Sequence, residues 1–180
     1  MRNEPTRQLK RIRRCRDGLI GGWIESENNL SHVGDCFVFD DAKVTGNAMV
    51  DGNTTVCGRA VITGEAKVSG SPFIHGSAHI FGSATIGGQS NVGDTAIVHG
   101  NATIDMYTIV KNGAEVCGAA LVTGFTVVGD TASVGGSLIL AGNANVHGGA
   151  VLRGKGIVRG ENDYMYIGGL HHPVTLQKNG

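Results

Sequence analysis

The sequence predicts an all-β chain wound as a single-stranded parallel β-helix, and three observations carry that prediction. From Val38 to Val158 every sixth residue is Val, Ile or Leu, twenty-one in succession without an insertion. Two residues after each of them stands Gly in sixteen hexads, and Asp or Asn in four more. Two residues before, the side chain is nearly always small, as at Ala42, Ala48, Thr54, Ala60 and Ala66. A fixed six-residue period is the sequence signature of a β-helix.

Each hexad reads as a short strand followed by a tight corner. Side chains alternate along a strand, so the aliphatic residue and the small residue two before it face inward while their neighbours face out. Gly takes positive φ without steric penalty, and Asp and Asn tolerate it best among the others. Met106 stands where a corner is due, so a different backbone is expected there. Three hexads make a triangular coil of eighteen residues, and twenty-one make seven coils, a prism roughly 30–35 Å long at the usual strand spacing. Aromatic residues are only 5% of the chain, which a solenoid tolerates because each repeat packs mainly on its neighbours.

The ends depart from the beat. Residues 1–35 and 161–180 are expected to cap the open strand edges, which otherwise invite edge-to-edge association. Leu9, Ile12, Leu19, Ile20, Trp23, Ile24 and Leu30 are candidates at one end, and Tyr164, Tyr166, Ile167 and Leu170 at the other. The expected division is a basic arm and cap over 1–35, the β-helix over 36–160, and a cap or the start of a truncated segment over 161–180.

Two stretches carry a family resemblance. Leu9-Lys10-Arg11-Ile12-Arg13, Gly21-Gly22-Trp23-Ile24-Glu25, Asn29-Leu30-Ser31 and Gly34-Asp35-Cys36-Phe37-Val38-Phe39-Asp40 look like the opening segment of YdcK-like bacterial and prophage hexapeptide-repeat proteins. Asp163-Tyr164-Met165-Tyr166-Ile167-Gly168 resembles the segment after the repeats in phage relatives. The resemblance implies a left-handed coil, which periodicity alone does not show, and a trimeric assembly. It supplies no firm activity.

The formal net charge is zero, but residues 1–16 hold seven Lys and Arg against Glu4 alone. Such an arm suits a solvated terminus, an acidic neighbouring subunit or, less well, nucleic acid. Cys15, Cys36, Cys57 and Cys117 show no paired metal spacing. Outward unpaired thiols at Cys57 and Cys117 fit a reducing compartment, no apolar segment opens the chain as a signal peptide would, and no apolar run is long enough for a membrane. A cytoplasmic location is expected.

Function is less constrained. Enzymes of the hexapeptide-repeat superfamily resemble one another in a catalytic His near a subunit interface, an extruded loop and acyl-CoA along the prism. Outward His75, His79, His99 and His147 are the catalytic candidates here, but the unbroken hexads leave no extruded loop. A zinc hydratase resembling the γ-class carbonic anhydrases needs three converging His. His75, His79 and His99 do not follow that spacing, so no metal site and no cofactor are expected, apart from acyl-CoA under the enzymatic alternative.

Tyr107 and Phe125, eighteen residues apart, should stack on adjacent coils. Outward apolar residues gather on two faces, Phe37, Phe39, Phe73, Ile109 and Val127 on one, Met49, Leu121, Ile139 and Ile157 on the other. Patches of that size argue for burial between subunits. Lys111 and His147 share an outward column with His75, and Arg153, Lys155 and Arg159 cluster at the C-terminal end. The resulting expectation is a non-enzymatic homotrimeric scaffold holding a small anionic, nucleotide-like ligand or a protein partner in its clefts. Tyr107, Phe125, Lys111, His147, Arg153, Lys155 and Arg159 would line those clefts; the alternative is an acyltransferase using an interface His.

Overall fold

The computed structural model of the protein describes residues 8–167, with side chains through residue 160. Residues 1–7 of the basic arm, and Leu170 with the rest of 168–180, lie outside the described residues.

The chain is an all-β parallel solenoid of about eight turns, consistent with the left-handed β-helix. Every pairing between successive turns is parallel, and over the repeats it joins residues eighteen apart: His79 with Ile97 and Ile80 with Val98, Thr85 with Thr103, Asn91 with Ile109. Three faces result. The first carries Lys43–Val44, Val61–Ile62, His79–Ile80, Ile97–Val98, Glu115–Val116, Ser133–Val134 and Val151–Leu152. The second runs from Phe37–Val38 through Phe73–Ile74 and Ile109–Val110 to Val127–Val128, and the third from Met49–Val50 to Leu121–Val122. Strand Ser137–Val146 passes the corner at Gly142 without a break and pairs with both the second and third faces.

The core is the stack of inward aliphatics. Val38, Val44, Val50, Ile62, Ile80, Ile86, Val98, Ile104 and Val116 have no solvent exposure, and Ala42, Ala60, Ala78, Ala96 and Ala114 are equally buried beside them. A fully buried side chain of this size is worth roughly 1.5–3 kcal/mol relative to exposure. Where a hydroxyl replaces Ala inside, it finds a carbonyl three residues back. Thr54 donates to Asp51 O at 2.7 Å, Ser90 to Gly87 O at 2.8 Å, Thr108 to Asp105 O at 2.7 Å and Thr126 to Thr123 O at 2.8 Å. Buried polar groups satisfied in this way cost the stack little.

Every corner from Asp40 to Gly154 has positive φ. The expectation of a different backbone at Met106 is overturned: it sits at φ 60 like its glycine neighbours. Asp105 holds the turn, its Oδ1 accepting the Met106 N–H at 2.7 Å. Aspartates at the other corners do more than tolerate the angle. Asp40, Asp94 and Asp130 each accept the backbone N–H one turn up, from Gly58 at 2.9 Å, Asn112 at 3.1 Å and Gly148 at 3.0 Å.

The six-residue beat reaches further back than Val38. Strand β1 (Lys10–Arg13) and strand β2 (Ile20–Ile24) form an antiparallel hairpin, and β2 in turn pairs parallel with Lys43–Val44. Leu30 bridges Val50 on the third face. Ile24 and Leu30 therefore stand six apart on the inward side, and the irregularity is confined to the eight-residue step from Leu30 to Val38. Of the expected capping residues, Ile24 is buried and Ile12 and Leu30 pack against the core, whereas Leu19 and Ile20 are exposed. Gly21 and Gly22 let β2 lie close, since added Cβ atoms would meet Val38 O at 2.4 Å and Ala42 O at 2.6 Å.

Asn29 closes the edge beneath this turn. It is buried, its Oδ1 accepts the Glu25 and Ser26 N–H groups, and its Nδ2 donates to Gly46 O and Ala48 O. Among the described residues the basic arm is folded rather than free. Arg11 lies 4.9 Å from the Trp23 ring and 3.7 Å from Asp41, Arg14 pairs with Asp17 and covers Phe37, and Arg16 reaches Asp35 at 3.2 Å. Phe37, expected to face outward, is consequently buried under the hairpin. Among the described residues no helix is long and apolar enough to cross a membrane.

Candidate functional site

The densest polar cluster lies on the first face, on residues that stacking brings together. His99, Cys117, Gly135 and Arg153 form one outward column, eighteen residues apart, and Glu115 and Ser133 stand in the adjacent column. His99 Nε2 donates to Glu115 Oε1 at 3.0 Å, and the Ser133 hydroxyl donates to Glu115 Oε2 at 2.5 Å. Arg153 reaches back two turns, with Nη2 on Glu115 Oε2 at 3.1 Å and on Ser133 Oγ at 2.6 Å, and Nη1 on Cys117 Sγ at 3.1 Å.

It can do so because Gly135 leaves its slot empty, where an added Cβ would lie 2.1 Å from Arg153 Nη1 and 2.8 Å from Cys117 Sγ. The ring of Phe81 stacks flat on His99 at 4.8 Å and 4°, and the His79 ring lies 4.7 Å from the same Phe81 at a tilt of 39°. Hydrogen bonds from Ser133 and then His99, with Arg153 adding to them, hold the Glu115 carboxyl down at about 2 despite partial burial.

A second feature lies on the second face. Lys111, Asn112, Val127, Asn145 and His147 line a shallow depression of about 370 Å³, with Asp130 at its rim. The Lys111 stem lies over Gly129, its Cε 3.6 Å from where a Cβ would be. His147 Nδ1 is 3.7 Å from Asp130, whose carboxyl is lowered by the Gly148 N–H and by Asn112. Lower in the same column His75 lies across Gly93 and contacts Asn91 Oδ1 at 2.9 Å. The larger depression, about 640 Å³, opens at the N-terminal end over Ile24, Leu30 and Cys36. It is remote from both polar clusters, and Arg11, Arg14 and Arg16 at its rim already face aspartates.

The expected ligand residues are divided among several surfaces. Lys111 and His147 share the second-face depression. Tyr107 and Phe125 stack as predicted, centroids 4.9 Å apart and planes 1° apart, but on the corner between the third and second faces and outside that depression. Arg153 is committed to Glu115 on the first face, Lys155 follows the first-face corner, and Arg159 is exposed on the third face. Arg153, Lys155 and Arg159 thus share the last coil but point from different parts of its triangle.

Of the four histidines, His99 has the shortest carboxylate contact and His75 meets an amide; His79 packs on Phe81. Sequence reading missed the grouping of His99 with Glu115 and Cys117, whose donor atoms all lie within 4.8 Å of one another. Offsets of sixteen and eighteen residues would have found it.

Comparison with models of known families and with curated proteins finds no match for this chain.

Proposed function

We propose that the chain is a non-enzymatic scaffold that self-associates through its second face, as a homotrimer, and holds a small anionic ligand beside that contact. The observation that carries this reading is the outward column in which Phe73, Ile109 and Val127 stand with Asn91 between the first two, beside the column of Lys111 and His147. Phe73 is 41% exposed and Ile109 37% exposed, on a rigid surface where a lone prism would leave them in water. Apolar side chains gathered on one exposed face favour its burial against a partner surface. A cleft formed there would place the Lys111 ammonium and the His147 ring at a subunit boundary, where small-molecule sites commonly form. The resemblance of the opening segment to YdcK-like proteins supports the same assembly, and with it a bacterial or phage setting inside the cell.

Thermal-shift measurement with a nucleotide panel and inorganic phosphate tests the ligand. The reading expects stabilisation by at least one anion, abolished in Lys111→Ala. No shift with any of them would remove it.

A second reading, an acyltransferase, is favoured by one observation. A carboxylate in contact with an imidazole orients the ring for general-base work, and His99 with Glu115 provides that pair. It requires turnover of an acyl-CoA that disappears in His99→Ala; a scaffold gives none before or after the substitution.

A further inference from the structure

We infer that His99, Glu115 and Cys117 form a binding site for a divalent cation of the zinc class on the first face, and that Arg153 occupies the cation's place in its absence. An imidazole nitrogen, a carboxylate oxygen and a sulfur within 4.8 Å of one another are three of the ligand types zinc prefers. Tetrahedral coordination at the usual bond lengths sets such donors roughly 3.3–3.8 Å apart, so side-chain rotations suffice to close the set. Thiolate and imidazole together select zinc, cobalt or copper over magnesium or calcium. Three protein ligands leave the fourth position for water or a small ligand.

Neighbouring side chains already hold two of the three ligands in place. Ser133 fixes the far oxygen of Glu115 at 2.5 Å, and the Phe81 ring sets the plane of His99. Hydrogen bonds and ring contacts to a metal's ligands orient them and strengthen binding. Glu115 lies in a strand, and His99 and Cys117 directly follow the paired strands of two adjacent turns.

Charge explains the arginine. Its guanidinium touches both the Glu115 carboxylate and the Cys117 sulfur, across the slot that Gly135 leaves open. A divalent ion bound to one carboxylate, one thiolate and one neutral imidazole is balanced. Without the ion the Glu115 carboxylate is balanced by the Arg153 guanidinium. Metal entry thus exchanges one balanced arrangement for another: the thiol proton leaves to solvent and Arg153 swings outward. This site is independent of the second-face reading and stands or falls separately.

Cobalt titration of full-length protein carrying Cys15→Ser and Cys57→Ser tests the site near neutral pH, with melting curves to verify folding. We expect one equivalent per chain and a thiolate-to-cobalt charge-transfer band in the near ultraviolet. The band should vanish in Cys117→Ser and in Cys117→Ala, and affinity should fall at least about tenfold in His99→Ala, the loss seen even for residues that only support a ligand. Arg153→Ala should bind cobalt more tightly than the parent. Absence of the band in the parent, or its survival in both Cys117 variants, overturns the proposal. So does weaker binding in Arg153→Ala.

Discussion

His99 Nε2 and Glu115 Oε1 are 3.0 Å apart although sixteen residues separate them in sequence. The same offset joins His75 Nε2 to Asn91 Oδ1 at 2.9 Å. In both pairs a ring just after the inward aliphatic of one turn reaches the residue just before the inward aliphatic of the next. The solenoid thus turns a two-residue lateral step and an eighteen-residue rise into a fixed hydrogen-bond geometry.

Glu115 makes stability depend on acidity. Its carboxyl is held at about 2 in the folded protein against an ordinary 4.5, first by the Ser133 hydroxyl and then by His99. A lowered folded value means the charged form is the stabilising one, so its contribution is present above 4.5 and is lost as pH falls toward 2. Thermal melts of wild type and Glu115→Gln should differ most near neutral pH and converge across that window. A gap that persists at the acid end would contradict the assignment. Because the cluster is partly solvated, the neutral-pH difference should be modest.

The core predicts a larger effect. Ile86 has no solvent exposure, and it stands between Val68 and Ile104 in the paired turns on either side. Ile86→Ala should cost about 2–5 kcal/mol in chemical denaturation. A loss under about 1 kcal/mol would mean the stack repacks freely, contrary to interior packing at native density.

Met106 predicts a gain. It takes φ 60 in the left-handed region, above Gly88, whose added Cβ would lie 2.4 Å from the Met106 N. The left-handed conformation costs a non-glycine residue about 1–2 kcal/mol, and glycine's greater unfolded freedom returns about 0.5–1 kcal/mol of that. Met106→Gly should therefore stabilise by roughly 0.5–1 kcal/mol, read from denaturation midpoints.

Tyr107 and Phe125 stack in the open, with Phe125 63% exposed. A double-mutant cycle with Tyr107→Ala and Phe125→Ala should return a coupling of about 0.5–1.5 kcal/mol, the range for aromatic pairs beyond their buried area. Additive single effects would show that the rings merely lie side by side.

Much of the fold is legible in the sequence because the hexad states it three times over, in the inward aliphatic, the small inward partner and the corner glycine. The Tyr107–Phe125 stack follows from the eighteen-residue rise alone. Other features depend on what the chain does between repeats. Ile24 and Leu30 carry the beat backward, but the eight-residue step to Val38 hides it, and Phe37 reads as outward because the hairpin that covers it obeys no repeat. Met106 reads as irregular because residue type suggests a change of backbone, whereas stacking on Gly88 and the Asp105 side chain impose the common corner.

Sites were the least legible. Side chains that reach across faces answer to offsets of sixteen or thirty-six residues, as Arg153 does to Cys117, and to outward glycines such as Gly135, Gly93 and Gly129 that make room for a neighbour. Proximity in sequence pointed the other way, grouping Arg153 with Lys155 and Arg159.

Sedimentation equilibrium of wild-type protein and of Ile109→Lys tests the scaffold reading most directly, since that reading rests on the second face being covered by copies of itself. The account predicts three times the chain mass for wild type, and a monomer of unchanged β-structure for Ile109→Lys. A wild-type protein that sediments as a monomer across its soluble range, or a trimer untouched by Ile109→Lys, would contradict it.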